Sequence, residues 1–410
     1  MKKLRFLIFA LAIAILASAC GKKEFDKNSA VVYEMNIRQY TPEGTFAAAR
    51  AQLPRLKELG VDILWLMPIH PIGVEGRKGE LGSYYAPKDY KAVNPEFGTM
   101  EDFDAFLASA HKLGLKVVLD MVCNHSSPDA VWNTPENYDW YVRDSLGNTI
   151  VEYDWTDIAK LNYESKEMRA AMDDALKFWI KKGVDGYRCD AAWSIPTDYW
   201  ENILPQLRAM NPDIYLLAEA EKPELHNFDG GFEVAYAWNL HHTMNEIAQG
   251  KAGVKELEAA IDKYLTEFPK SVSMLAFTSN HDENSWAGTE FERMGDAWKA
   301  MAVLCYTLPK CQPLIYTGQE VGWDKRFEFF KKDLSPDWTE NEYTGFYKQM
   351  NRLYHDCPAL HSGEKGGEFE VVSDEDETFV FTRTLGADKL SVSVQLKSPW
   401  TYSISASPAL

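Results

Sequence analysis

The chain is short of cysteine, of positive charge and of nucleotide-binding glycine motifs, and each shortage excludes a class of protein. Six cysteines in 410 residues include no CxxC pair and no Cys/His cluster at zinc spacing. With Cys20 set apart for a reason given below, Cys123, Cys189, Cys305, Cys311 and Cys357 remain. That odd number closes no disulfide framework, so they read as small buried hydrophobes. Lys and Arg total 43 against 61 Asp and Glu, a formal charge of −18, which argues against nucleic acid or anionic membrane surfaces as partners. No GxGxxG follows the first strand, no P-loop occurs and no serine elbow is visible. Dinucleotide, phosphoryl-transfer and acyl-transfer readings fall away. Internal repeats and low-complexity tracts are absent, and the longest apolar run is too short for a comfortable membrane span.

That run, "FLIFALAIAILA", follows Lys2, Lys3 and Arg5 and precedes "SAC" at 18–20, the layout of an export signal. The small residues before Cys20 resemble a bacterial lipoprotein cleavage box, although Ala17 stands where leucine is usual. The expectation is a signal peptide over 1–19, lipidation of Cys20, a polar tether over 20–29, and attachment to a bacterial cell envelope on its periplasmic side or at the surface. The alternative is an ordinary secretory signal with an incidental cysteine.

From about residue 30, short apolar runs alternate with longer segments of helical period. "AVVYEMNI", "VDILWLMPI", "LKVVLDMVCNH", "VDGYRCDAA", "IYLLAEA", "FEVAYAWNL", "SVSMLAFTSNHD" and "QPLIYTG" make eight strand candidates. Segments such as "TFAAARAQLPRLKELG" and "SKEMRAAMDDALKFWIKKG" supply the helices between them. Eight buried parallel strands in one unit predict an α/β fold, a closed (β/α)8 TIM barrel, over 30–125 and 161–357. The aromatic stretch 126–160 reads as a loop-rich insertion after strand 3. Beyond it, "GEFEVVSD", "TFVFTRTL" and "LSVSVQL" read as a small antiparallel β domain over 358–410.

Barrel enzymes carry their chemistry where the βα loops converge, at the C-terminal ends of the strands. The third run ends in Asp120, Asn124 and His125, the fourth in Arg188 and Asp190, the fifth in Glu219, and the seventh in Asn280, His281 and Asp282. Strand alternation turns Arg188 and Asp190 toward one face and Tyr187 and Cys189 toward the other. A structural ion pair would explain that couple alone. Four polar strand ends on one rim ask for a different explanation. Three carboxylates there suit glycosidic bond cleavage, in which one attacks the anomeric carbon and one protonates the leaving oxygen. On this reading Asp190 is the nucleophile, and Arg188 holds it ionised and aimed.

At these positions the chain also resembles the α-amylase family of glycoside hydrolases. "DMVCNH", "GYRCD", "LLAEA" and "FTSNHD" look like the family's four signatures, in its order and with plausible spacing. The resemblance implies Asp190 as nucleophile, Glu219 as general acid/base and Asp282 as the third carboxylate, steadying a distorted sugar. It makes His125 and His281 ligands of sugar hydroxyls and places Arg188 beside the nucleophile. "GSYYAPKDY" implies Tyr85 as a platform under the sugar. Trp132, Trp140, Trp155, Trp238 and Trp286 read evenly as packing residues or as sugar-stacking platforms, since aromatics of this size dominate cores as well, and Cys123 and Cys189 read as facing the helix layer.

The implied activity is a retaining α-glucan hydrolase that cleaves α-1,4 bonds of starch or malto-oligosaccharides. Alternatives are transglycosylation, α-1,6 cleavage, disaccharide isomerisation, or a non-catalytic glucan-binding barrel, the last at odds with three carboxylates in place. Many family members hold calcium between barrel and insertion, and Asn124 sits where that site would draw a ligand, with Asp129, Asp139, Asp144, Asp154 or Asp157 as further oxygens. The Lys-His pair that usually follows the nucleophile in calcium-dependent members is Trp193 and Ser194 here. The expectation is therefore no cofactor, with Asn124 hydrogen-bonding the insertion to the barrel.

Overall fold

The computed structural model describes residues 25–407. The signal, Cys20 and the first half of the tether expected over 20–29 lie outside them. Eight parallel strands close into one barrel: β1 (Val32–Met35), β2 (Ile63–Leu66), β3 (Lys116–Met121), β4 (Gly186–Cys189), β5 (Tyr215–Ala218), β6 (Val234–Tyr236), β7 (Ser273–Ala276) and β8 (Cys311–Tyr316). Each strand pairs with its neighbours in the chain, and β8 returns to β1 with Val32 opposite Leu314. The predicted (β/α)8 barrel is thus the observed one.

The helices between the strands begin and end where their sequences dictate. Thr99 and Asp102 form a capping box at the start of Met100–Lys112, and Gly183, at φ 99°, ends Lys166–Lys182 in a left-handed turn. The segment read as one helix over "TFAAARAQLPRLKELG" is two, Phe46–Ala51 and Leu53–Leu59. Pro54 lacks the amide that would continue the first helix, so it opens the second.

Two apolar shells hold the barrel. Val32, Ile63, Trp65, Val118, Tyr215, Leu217, Val234, Leu275 and Leu314 fill the interior. The outer faces of the strands, Cys123, Tyr187 and Cys189 among them, pack against the helices. Each fully buried large side chain contributes on the order of 1.5–3 kcal/mol. Alternation then carries polar residues into the barrel mouth: two positions beyond Val32, Val118 and Leu217 come Glu34, Asp120 and Glu219.

The insertion is anchored by its own short ribbon, in which His125–Ser126 pairs with Ala159–Lys160, and by Tyr163, which donates to the Cys123 carbonyl at 2.8 Å. At the C-terminus the three expected strands, Glu368–Ser373, Thr378–Leu385 and Asp388–Gln395, are joined by a fourth, Tyr402–Ser407, in one antiparallel sheet. "TYSISAS" had too few large apolar residues to announce that edge strand.

Candidate active site

Arg188 is the centre of the barrel mouth. Its Nη1 donates to Asp190 at 2.8 Å and to Asp120 at 2.9 Å, and its Nη2 lies 3.1 Å from Glu219. The guanidinium is buried among aromatic rings, 5.2 Å from the centroid of Trp65 and 5.8 Å from that of Tyr236. One cation therefore binds three carboxylates from β3, the end of β4 and the end of β5. Strand register makes this possible, because Asp120 and Arg188 are Cα partners across β3 and β4.

The turn after the nucleophile candidate is strained. Ala191 adopts φ 43° and ψ 39°, a left-handed conformation that non-glycine residues avoid. In that pose its amide donates to Glu219 at 2.7 Å. Strain at such a position is held in place by its surroundings and concentrates at functional sites.

Burial governs the protonation of these groups. It pushes the Glu219 carboxyl up to about 7; Arg188 opposes that rise, while Asp190 and Asp282 reinforce it. Burial also raises Asp190, with Arg188 pulling it down and Asp120 pushing it up. Asp120 is raised by burial against the pull of Arg188 and His281. Burial would lower His281, but Asp282 and Glu34 outweigh it and lift the imidazole to about 9. For His125 burial wins over the Tyr85 carbonyl, Glu152 and Asp157, which all raise it, and takes the imidazole down to about 4.

A cavity of about 480 Å³ opens above the cluster, large enough for sugar rings. Asp190, Glu219 and Asp282 all line it, as do Tyr85, His125 and His281. The structure therefore brings every sequence-predicted site residue within 25–407 to one place, with Arg188 directly beneath. Their contacts differ in kind. Tyr85 stacks on His281 with ring centroids 5.1 Å apart, and its hydroxyl donates to Asp120 at 2.9 Å. His125 already has a partner at each ring nitrogen: Nε2 lies 2.9 Å from the Tyr85 carbonyl, and Nδ1 lies 3.2 Å from the Asn124 amide.

Sequence reading leaves part of the wall undecided. Trp155 and Trp286, balanced there between packing and sugar stacking, line the cavity, and Trp286 is 57% exposed against Phe329 and Phe330. An isolated aromatic in a loop carries no sequence mark separating a wall from a core. Trp193 closes another side, with its carbonyl held by Lys222 at 3.1 Å. Lys78, from the loop after β2, reaches the Asp154 carbonyl at 2.9 Å and ties that loop to the insertion. Behind this lining, the Trp65 indole donates to Asp120 at 3.2 Å and Glu34 lies against His281.

The residues considered for calcium do not assemble an oxygen cage. Asn124 donates to Glu152 at 2.5 Å, and Glu152 pairs with Lys160. Asp129 pairs with Lys88 at 2.8 Å and Asp144 caps its own turn through Asn148. Asp157 faces Lys78 at 3.6 Å, whereas Asp139 lies 3.4 Å from the Ser165 hydroxyl. Among the described residues no cluster of three or more His, Cys, Asp or Glu is placed to hold a metal ion. A lysine ammonium occupies the junction where a cation would sit, so the donor set does not fit calcium.

Comparison with known proteins agrees with this geometry. The model for the α-amylase catalytic domain matches residues 26–356. An α-amylase structure from Lactobacillus plantarum superposes with a TM-score of 0.80 at 31% identity, covering 90% of this chain and 89% of that one. A noncanonic maltogenic α-amylase from Thermotoga neapolitana gives 0.83 at 26%, covering 91% and 87%. Among curated relatives, the α-amylase MalA of Haloarcula japonica is 29% identical over 84% of this chain and 52% of its own length. An α-1,4-glucan:maltose-1-phosphate maltosyltransferase of Chlorobaculum tepidum is 31% identical over 80% of this chain and 53% of its own. The chain thus spans about half the length of these two curated relatives. Matched by the family model over 26–356, well over half of its length, the chain belongs to the α-amylase family.

Proposed function

We propose that the protein is a retaining glycosidase acting on α-1,4-linked glucans or malto-oligosaccharides. The observation that carries this reading is the single buried guanidinium joining Asp190 and Glu219 beneath a cavity edged by Asp282. Arg188 offsets the charge of Asp190 at 2.8 Å, so the carboxylate can attack the anomeric carbon as the glycosidic C–O bond breaks. Glu219, protonated below about 7, gives its proton to the departing oxygen. Water then enters from the vacated side, Glu219 takes its proton, and hydroxide equivalent displaces Asp190 with net retention. Asp282 faces the developing positive charge on the ring. Tyr85 gives the sugar an aromatic floor, and His281 and His125, their ring nitrogens engaged within the protein, shape the wall beside it.

A second reading, glycosyl transfer, has support of its own. Some relatives are named maltosyltransferases, and the half-exposed Trp193 gives a ring face on which an acceptor sugar can stack in place of water. Both readings share the glycosyl-enzyme and differ in what attacks it. Incubation with maltotriose, soluble starch, pullulan and trehalose, with products identified over time, separates them: hydrolysis gives only shorter sugars, and transfer gives longer ones. Proton NMR of the first product should show the α-anomer, and the β-anomer first would overturn double displacement. Asp190→Asn should abolish turnover by several orders of magnitude with the fold intact. We further propose that the enzyme works at a bacterial cell envelope, on the strength of the lipoprotein-like N-terminus.

A further inference from the structure

Beneath His281 lies a carboxylate that the mechanism above does not use. Glu34, on β1, is fully buried, and its Oε1 sits 2.5 Å from His281 Nδ1. Its other oxygen has no hydrogen-bond partner among the described residues. A buried carboxylate with one partner and one bare oxygen is costly as a packing device. Gln would fill the same space at lower cost, so the charge itself needs an explanation.

The hydrogen-bond directions give one. Tyr85 has a single hydroxyl proton, and its oxygen lies 2.9 Å from Asp120 and 2.8 Å from His281 Nε2. Asp120 already accepts from Arg188 at 2.9 Å and from the Trp65 indole at 3.2 Å, so it stands as an ionised acceptor. The Tyr85 proton therefore goes to Asp120, and His281 Nε2 must supply the proton on the other side of that oxygen. Burial raises Glu34 and the His281 and Arg188 cations oppose that rise; as a carboxylate, Glu34 accepts from Nδ1 and so requires a proton there as well. Both ring nitrogens are then donors, which only the imidazolium satisfies. The same Nε2 lies 3.4 Å from Asp282.

We propose that Glu34 is a positioning residue that keeps His281 doubly protonated, so that the ring donates to Tyr85 and faces Asp282 as a fixed cation. The line Glu34, His281, Tyr85, Asp120, Arg188 runs across the barrel mouth and ends at Asp190, with the two cations, His281 and Arg188, each donating to the neighbour on either side. Its setting is mixed in charge. Arg188 from β4 opposes a second cation, whereas Asp120 from β3 and Asp282 favour it; Tyr236 on β6 and Tyr316 on β8 face Glu34 as neutral phenols. The effect on rate rests on the proposed glycosidase reading, but the protonation state does not.

The test uses the whole chain with Glu34→Gln and Glu34→Asp. Ring NMR of wild type should find both His281 nitrogens protonated at pH 7.5, and Glu34→Gln should lower the midpoint by about two units or more. The ratio of variant to wild-type kcat/KM on maltotriose should fall with rising pH, by about tenfold between pH 5.5 and 8. Glu34→Asp should restore part of it. A purely structural Glu34 would lower the melting temperature and leave that ratio flat. Neutral His281 in wild type at pH 7.5, or a flat ratio with an unmoved midpoint, overturns the inference. Should Glu34→Gln fail to fold, the wild-type NMR measurement still decides. Should wild type cleave no α-glucan, the functional reading falls while the NMR arms continue to test Glu34.

Discussion

Replacing Arg188 by Met removes the one cation that Asp120, Asp190 and Glu219 share while keeping most of the side-chain length between the Trp65 and Tyr236 rings. Three carboxylates against one guanidinium leave a local formal charge of −2, and without it −3. Breaking a buried pair by deleting one partner costs about 3–5 kcal/mol. With an unfolding entropy of about 2.1 cal/mol/K per residue over about 380 residues, that is a fall in Tm of about 4–6 °C.

The loss should depend on pH, and its sign follows from proton linkage. A buried carboxyl whose folded pKa lies above its unfolded value keeps a proton that the unfolded chain has released. Its contribution to stability is present at low pH and is lost as pH rises toward the folded pKa, at about 1.4 kcal/mol per pH unit for each group. Glu219 behaves this way in the wild type, with burial taking it to about 7. Without Arg188, Asp120 and Asp190 lose the partner that now pulls them down. They will hold protons to higher pH, and the Tm deficit of the variant should be small near pH 5 and full near pH 8. Calorimetry of both proteins across that range is the assay. Arg188→Lys is the control: it keeps the charge but not the fork, so its deficit should vary less with pH although activity still collapses. A deficit of equal size at pH 5 and pH 8 would refute the claim that Arg188 exists to neutralise these carboxylates.

Three further outcomes follow from the same geometry. The pH profile of kcat/KM should be a bell lying below neutrality on its alkaline side, because Glu219 must be protonated and titrates near 7, while Asp190, itself raised by burial, must be ionised; activity undiminished at pH 9 would remove Glu219 as the proton donor. Chelation should leave rate and Tm unchanged, since Lys160 pairs with Glu152 at the junction with Asn124; a drop after EDTA that calcium reverses would show otherwise. Cys20→Ser should shift the protein from the membrane fraction to the soluble one, and a wild type that is already soluble and cut at another residue would end the anchor reading.

The barrel was legible because a parallel strand buried on both faces leaves a plain trace: an apolar run that stops where the chain reaches the mouth. "GYRCD" and "LLAEA" follow that trace, and so Arg188, Asp190 and Glu219 were found with the fold. Asp120 was seen on the same rim, but nothing in "VVLDMVCNH" says that it lies opposite Arg188. Only the register across β3 and β4 does. The break at Pro54 and the wall of Trp155, Trp286 and Phe329 depend on how loops turn, which periodicity does not encode.

Glu34 shows where such reading stops. It obeys the rule that exposed Glu219, a charge two positions beyond an inward apolar residue, yet "AVVYEMNI" continues apolar after it and the run does not end there. Its partner, His281, is 247 residues away on the far side of the barrel's closure. A closed barrel makes the first and last strands neighbours, so a charge on β1 acquires meaning only when β7 and β8 have come round to meet it. Local sequence can therefore mark which strand ends carry chemistry, while the protonation of those ends is decided by contacts across the seam. That is why the least conspicuous carboxylate of the site is the one whose removal should change the proton count of His281.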